Sequence, residues 1–177
     1  MLDFNPPNRK NTRLQNWNYA WKGLYYVTIN TKFGVPYFGE IANNIVQLSD
    51  IGNEVEKQWL LTPSIRTDMN VLIDEYVVMP NHFHGIIGIG ENEYNSGPTI
   101  GMPAGGTFGP QRKNLGSTIR GFKSSVTSWC RSQQILFDWH TSYYDTIIRN
   151  EIMLDKIRNY IRNNPENWKK DRFNPYV

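Results

Sequence analysis

The stretch Tyr76-Val77-Val78-Met79-Pro80-Asn81-His82-Phe83-His84-Gly85-Ile86-Ile87 constrains the fold of this chain more than any other. An apolar, β-branched run meets Pro80-Asn81, which interrupts a strand, and a second apolar run starts at His82. That pattern predicts two strands joined as a hairpin. Side chains alternate along a strand, so His82 and His84 share one face while Phe83 anchors the other in a core. Two of the three histidines of the chain stand here, and neighbouring imidazoles can share a divalent metal. Taken alone, such a pair is more often a half-buried polar face than a metal site. A third ligand and a reactive group are needed to tip the balance.

The rest of the chain supplies a framework for the hairpin. Leu24 to Ile29 reads as a strand, and residues 35–40 as a short edge strand. Over 43–61, Ile45, Leu48, Val55, Trp59 and Leu60 recur at helical spacing, with Gly52 weakening the middle. The first hairpin strand begins near Asn70, and the second ends at Ile89. Glycines and prolines then fill about 90–114, a long loop without periodicity. Ser117 is the expected cap of a helix with the stripe Ile119, Phe122, Val126 and Trp129. A strand over 143–148 follows, then a helix from about Glu151 to Asn163, capped by Asn150 and stopped by Asn164-Pro165. The order β-α-β-β-α-β plus a C-terminal helix predicts an α+β, ferredoxin-like (RRM-like) antiparallel sheet with helices on one face. Its first and third strands are central, which places His82 and His84 mid-sheet. Residues 1–22 read as an N-terminal arm and 23–177 as one domain.

Composition narrows the function. No apolar run approaches the ~18 residues that span a bilayer, so no membrane role is expected. The single cysteine, Cys130, excludes an internal disulfide and fits the reducing cytoplasm; it reads as a packed thiol on a helix. Charge is unevenly spread. Residues 1–110 carry 7 Lys/Arg against 10 Asp/Glu, a net of −3, whereas 111–177 carry 12 against 6, a net of +6. A basic half points to a polyanionic partner.

On the last predicted helix, Tyr160 and Asn164 are four apart and share a face, with Ile157 and Ile161 on an adjacent one. A phenol beside an amide, facing a histidine pair, suits phosphoryl transfer. A free phenol ionises only near pH of about 10, so it must be activated to act as a nucleophile.

These residues carry a resemblance. Met79-Pro80-Asn81-His82-Phe83-His84 resembles the histidine–hydrophobic–histidine signature of HUH endonucleases. Ile147-Ile148-Arg149-Asn150 and Tyr160-Ile161-Arg162-Asn163-Asn164-Pro165 resemble the single-tyrosine HUH transposases, REP-associated tyrosine transposases in particular. The resemblance spans roughly residues 22–168. It implies that His82, His84 and Asn164 bind Mg²⁺ or Mn²⁺ and that Tyr160 is the nucleophile. It further implies cleavage and rejoining of single-stranded DNA, often near a hairpin, by a monomer or a homodimer. Arg112, Arg120, Lys123, Arg149, Arg158 and Arg162 are the candidate phosphate contacts. Tyr143 and Tyr144 are rival nucleophiles on a strand, and His140 reads as a loop residue. Little chain follows Trp168 to form a DNA-gripping tail. The alternatives are a non-catalytic nucleic-acid-binding module of the same fold and a small metallohydrolase that uses water.

Overall fold

A computed structural model of the chain describes residues 17–96 and 112–174. Most of the predicted arm and the centre of the Gly-rich loop therefore lie outside the described residues. The elements in chain order are β1 (Gly23–Asn30), β2 (Gly39–Ala42), β3 (Ile45–Leu48), α1 (Asp50–Ile65), β4 (Val71–Val78), β5 (His82–Ile89), α2 (Leu115–Ser132), β6 (Tyr144–Ile148) and α3 (Glu151–Arg162).

Four strands form an antiparallel sheet in the order β4-β5-β1-β6, so the first strand and the histidine strand are central, as the ferredoxin-like reading requires. The predicted hairpin is β4–β5, closed by the Met79 amide donating to His82 O at 2.8 Å. All eight residues of β5 are buried, because both faces of the sheet are covered. On one face α1 and α2 pack over Tyr25, Val27, Ile29, Phe83 and Ile87. The Trp59 ring of α1 lies 4.7 Å from the Phe83 ring, and Phe122 of α2 lies 5.7 Å from it. Gly85 is required between them, since a Cβ there would come within 2.8 Å of both the Trp59 and Phe83 rings. On the opposite face, α3 packs Leu154 and Ile161 against Ile86. The helices thus cover both faces rather than one, and the third helix shares its face with the histidines.

Three boundaries differ from the sequence reading, the first being the edge strand expected over 35–40, which is found instead as β2 at Gly39–Ala42. The helix predicted over 43–61 begins only at Asp50, and the preceding residues make a separate hairpin, β2–β3. Asn43 and Asn44 turn that hairpin with left-handed backbones (φ 52° and 62°), a conformation asparagine tolerates. Ser49 then caps α1 by accepting from the Gly52 amide, and the nearby Phe38 carbonyl leaves no room for a Cβ on Gly52. α2 is capped by Asn114 rather than Ser117, which instead returns a bond to the Asn114 amide as the other half of a capping box. Asn150 caps α3 as expected.

Candidate active site

β5 and β1 build the site on the α3 face of the sheet. The pleat turns His82 and His84 to the same side, with ring centroids 4.6 Å apart, and both are essentially fully buried. The strand register sets Thr28 beside His84 and Asn30 beside His82. Nδ1 of His84 lies 2.7 Å from Tyr26 Oη and 2.9 Å from Thr28 Oγ1.

Asn81 settles which nitrogen of His82 is available. Its amide nitrogen donates to Gly34 O at 3.1 Å and Phe173 O at 2.6 Å, so its oxygen faces His82 Nδ1, 2.8 Å away. An amide oxygen only accepts; Nδ1 therefore carries the proton, and Nε2 presents a lone pair. The Tyr26 and Thr28 hydroxyls can accept from His84 Nδ1 in the same way. Among the described residues, neither Nε2 atom has a hydrogen-bond partner, and nor has Oδ1 of buried Asn164. Buried acceptors left unpaired cost about 1–3 kcal/mol each. A cation held by these three atoms would remove that penalty, so the donor set fits a divalent metal.

The electrostatics agree. Burial lowers the His82 pKa from 6.5 to about 3, with the positive charge of Arg172 adding to the effect and nearby Asn164 opposing it. Asn164 is thus close to the ring, although no well-aligned hydrogen bond joins them. Burial also pushes His84 well below its ordinary value, followed by the influence of His82 and Arg172. Both imidazoles are neutral at physiological pH, the form that binds metal. The Tyr26 phenol is pushed up by burial and stays a neutral hydroxyl.

α3 brings Tyr160 to this place. Its ring centroid is 5.3 Å from His84 and 6.3 Å from Tyr26, and the side chain is 46% exposed. One turn later Asn164 is buried, and between them fully buried Ile161 fixes the rotation of the helix. Two ion pairs clamp α3 to β4. Arg158 holds Asp74 through Nε at 2.9 Å and Nη2 at 2.6 Å, and Arg162 holds Glu75 at 2.7 Å. Both acids sit at a bulge in β4, where the register with β5 shifts between Ile73 and Tyr76.

The candidate phosphate contacts divide accordingly. Arg112, Arg120 and Arg149 are exposed. Arg158 and Arg162 are engaged with carboxylates. Lys123 donates to His140 O at 2.6 Å, so its head is already in use within the fold, and burial lowers its pKa to about 8. Tyr143 packs against the α1–α2 core. Tyr144 faces the histidine side, but pairs with Thr28, which pairs in turn with His84. Two strand spacings, about 10 Å, therefore separate it from that histidine. The sequence reading missed the segment after α3: Phe173 lies 4.7 Å from the His82 ring, and Asp171 and Arg172 come with it. No spacing rule singles out that segment.

A protein of Haemophilus influenzae, described as uncharacterized, is 40% identical over 169 residues that span 93% of this chain and 92% of that one. The chain belongs to the family of that protein. No family model matches the chain. Among solved structures, that of a REP-associated tyrosine transposase bound to a REP hairpin is similar over 87% of this chain and 73% of the other, with a TM-score of 0.58 and 18% sequence identity. At that identity the likeness is one of fold. Among the described residues, no helix is long and apolar enough to cross a membrane.

Proposed function

We propose that this chain is a metal-dependent single-stranded DNA endonuclease and strand transferase, a transposase of the HUH type with Tyr160 as its nucleophile. One observation carries the reading: three unpartnered buried acceptors, on His82, His84 and Asn164, lie beside a half-exposed phenol. A module that only binds nucleic acid gains nothing from such a cluster. The fold likeness to a transposase held on a REP hairpin supports single-stranded, hairpin-containing DNA as the substrate.

His82, His84 and Asn164 would hold Mg²⁺ or Mn²⁺, with Asn81, Tyr26 and Thr28 fixing the two rings from behind. When bound, the ion would polarise the scissile phosphodiester and offset charge building on its oxygens. Tyr160 Oη attacks phosphorus, and its proton leaves to solvent at the open side of the site. The bond from phosphorus to the 3′ oxygen breaks, and that oxygen takes up a proton to leave as a 3′-hydroxyl. The 5′ phosphate remains esterified to Tyr160. One phosphodiester has replaced another, so a 3′-hydroxyl can later reverse the step without ATP. The neutral histidines keep their Nδ1 protons and hold position throughout, taking no part in proton transfer.

The test is incubation with labelled single-stranded hairpin oligonucleotides and Mn²⁺, scored for an SDS-resistant protein–DNA adduct. The reading predicts an adduct with wild type and none with Tyr160→Phe. Cleavage to free 5′ phosphates without an adduct would replace it with a water-using hydrolase.

A further inference from the structure

We infer that Asp171 is a further metal ligand, delivered to the histidine pair by the segment that follows α3. The inference rests on the proposed metal site and adds a ligand to it. A ring nitrogen of His82, one of His84 and a carboxylate oxygen of Asp171 all lie within 4.8 Å of one another, the one such cluster among the described residues. Adjacent ligands of an octahedral ion at about 2.1 Å are about 3 Å apart, and opposite ones about 4.2 Å. A modest inward shift of the segment would bring these atoms into that range.

The segment is held in place for this purpose. After a short 3-10 turn over Trp168–Lys170, the Asp171 amide donates to Trp168 O at 3.0 Å. Asn174 returns to the same turn, its side chain donating to Trp168 O at 3.1 Å. The Phe173 carbonyl accepts from Asn81, the residue that orients His82, and the Phe173 ring lies against that histidine. Asp171 is therefore tied to the histidine strand through its second neighbour. Within the turn, Asp171 Oδ1 accepts from the Phe173 amide at 2.7 Å, which leaves Oδ2 to act as a donor atom toward a metal. No lysine or arginine forms an ion pair with Asp171 among the described residues; Arg172 is exposed and lies over the Phe173 ring, its guanidinium carbon 4.6 Å from the ring centre.

The chemistry of the donor set gives the carboxylate a role. Two imidazoles and one amide oxygen are neutral and suit later first-row metals as well as they suit Mn²⁺. They leave the full dipositive charge beside Arg172, which already disfavours positive charge on both histidines. A carboxylate halves that charge and hardens the site toward Mn²⁺ and Mg²⁺. It brings the protein donors to four, leaving two of six positions for phosphate oxygens.

Direct Mn²⁺ titration of the full chain, followed by electron paramagnetic resonance without DNA, tests this. Asp171→Asn keeps an oxygen to accept from the Phe173 amide and so preserves the turn while removing the charge; Asp171→Ala removes both. Both variants are expected to bind Mn²⁺ at least about tenfold more weakly than wild type, with unchanged metal-free melting for Asp171→Asn. His82→Ala, run in parallel, is expected to lose binding. Loss in His82→Ala with Asp171→Asn and Asp171→Ala within twofold of wild type would overturn the ligand role of Asp171 and leave the histidine site standing. Wild-type binding in His82→Ala would overturn the site itself and the inference with it.

Discussion

The two faces of β5 make opposite use of the same burial. Toward α1 and α2, Phe83 and Ile87 join a core of aromatic and aliphatic side chains. Toward α3, His82 and His84 are buried just as deeply, yet each leaves a ring nitrogen without a partner. Exposure alone does not distinguish the faces, and nor does a single unmet hydrogen bond, since Trp59 Nε1 on the first face also lacks a partner among the described residues. What sets the α3 side apart is several bare acceptors gathered at one place. One face lowers the free energy of the fold, while the other gives up part of that gain to keep lone-pair acceptors bare.

Substitutions on the two faces should therefore separate stability from chemistry. The largest effect is expected at Tyr160: replacement by Phe removes the attacking oxygen and should abolish DNA adducts, by at least about 10³-fold, while thermal melting moves little at this half-exposed position. Phe83→Ala should do the reverse. It empties the space beside Trp59 and should cost about 3–5 kcal/mol in denaturant unfolding, with metal binding retained under conditions where the variant is folded. Asn81→Ala frees the His82 tautomer and loosens the segment carrying Phe173. Mn²⁺ affinity should drop about 10- to 100-fold by titration, with a smaller loss of stability.

The pH dependence sharpens the same contrast. His82 titrates near 6.5 when unfolded and near about 3 when folded, and His84 is displaced in the same direction. Between those values the unfolded chain binds more protons, so the stability of the metal-free protein should fall as pH drops below about 6.5. The carboxylates of Asp68 and Asp74, whose arginine partners lower their pKa from 3.8, lose their contribution only at lower pH. Melting in EDTA from pH 7 to 4.5 should show the slope, and a His82→Gln, His84→Gln double variant should flatten it. The smallest effect is expected at the α3 clamp. Arg158→Ala removes a bidentate but solvent-screened ion pair, and should lower the urea-unfolding midpoint only slightly.

The sequence displayed one face of this site better than the other. The alternation around Phe83 and the break at Pro80-Asn81 predict the β4–β5 hairpin and the shared face of His82 and His84, because strand periodicity is local. The four-residue spacing of Tyr160 and Asn164 is equally local, and the helix bearing it is found where expected. What brings that helix to the histidines is not local. Ile161 packing on Ile86 and Arg158 reaching Asp74 across a strand bulge depend on contacts some eighty residues apart in sequence. Asp171 was invisible for the same reason, since its turn is set by Asn81 and Phe173 rather than by a periodic pattern. The β2–β3 hairpin was missed although Asn43-Asn44 signals a turn, because Ile45 and Leu48 also fit a helical spacing. The intramolecular partners of Lys123, Arg158 and Arg162 were equally invisible, because each is set by a contact distant in sequence.

The central claim is that a bare histidine face and Tyr160 form one covalent catalyst. Peptide mapping by mass spectrometry of the adduct formed on a single-stranded hairpin with Mn²⁺ tests it most directly. The account predicts a nucleotide joined through phosphate to Tyr160, absent in EDTA and in His84→Ala. A nucleotide on Tyr143 or Tyr144, or an adduct that forms equally well in EDTA, would contradict it.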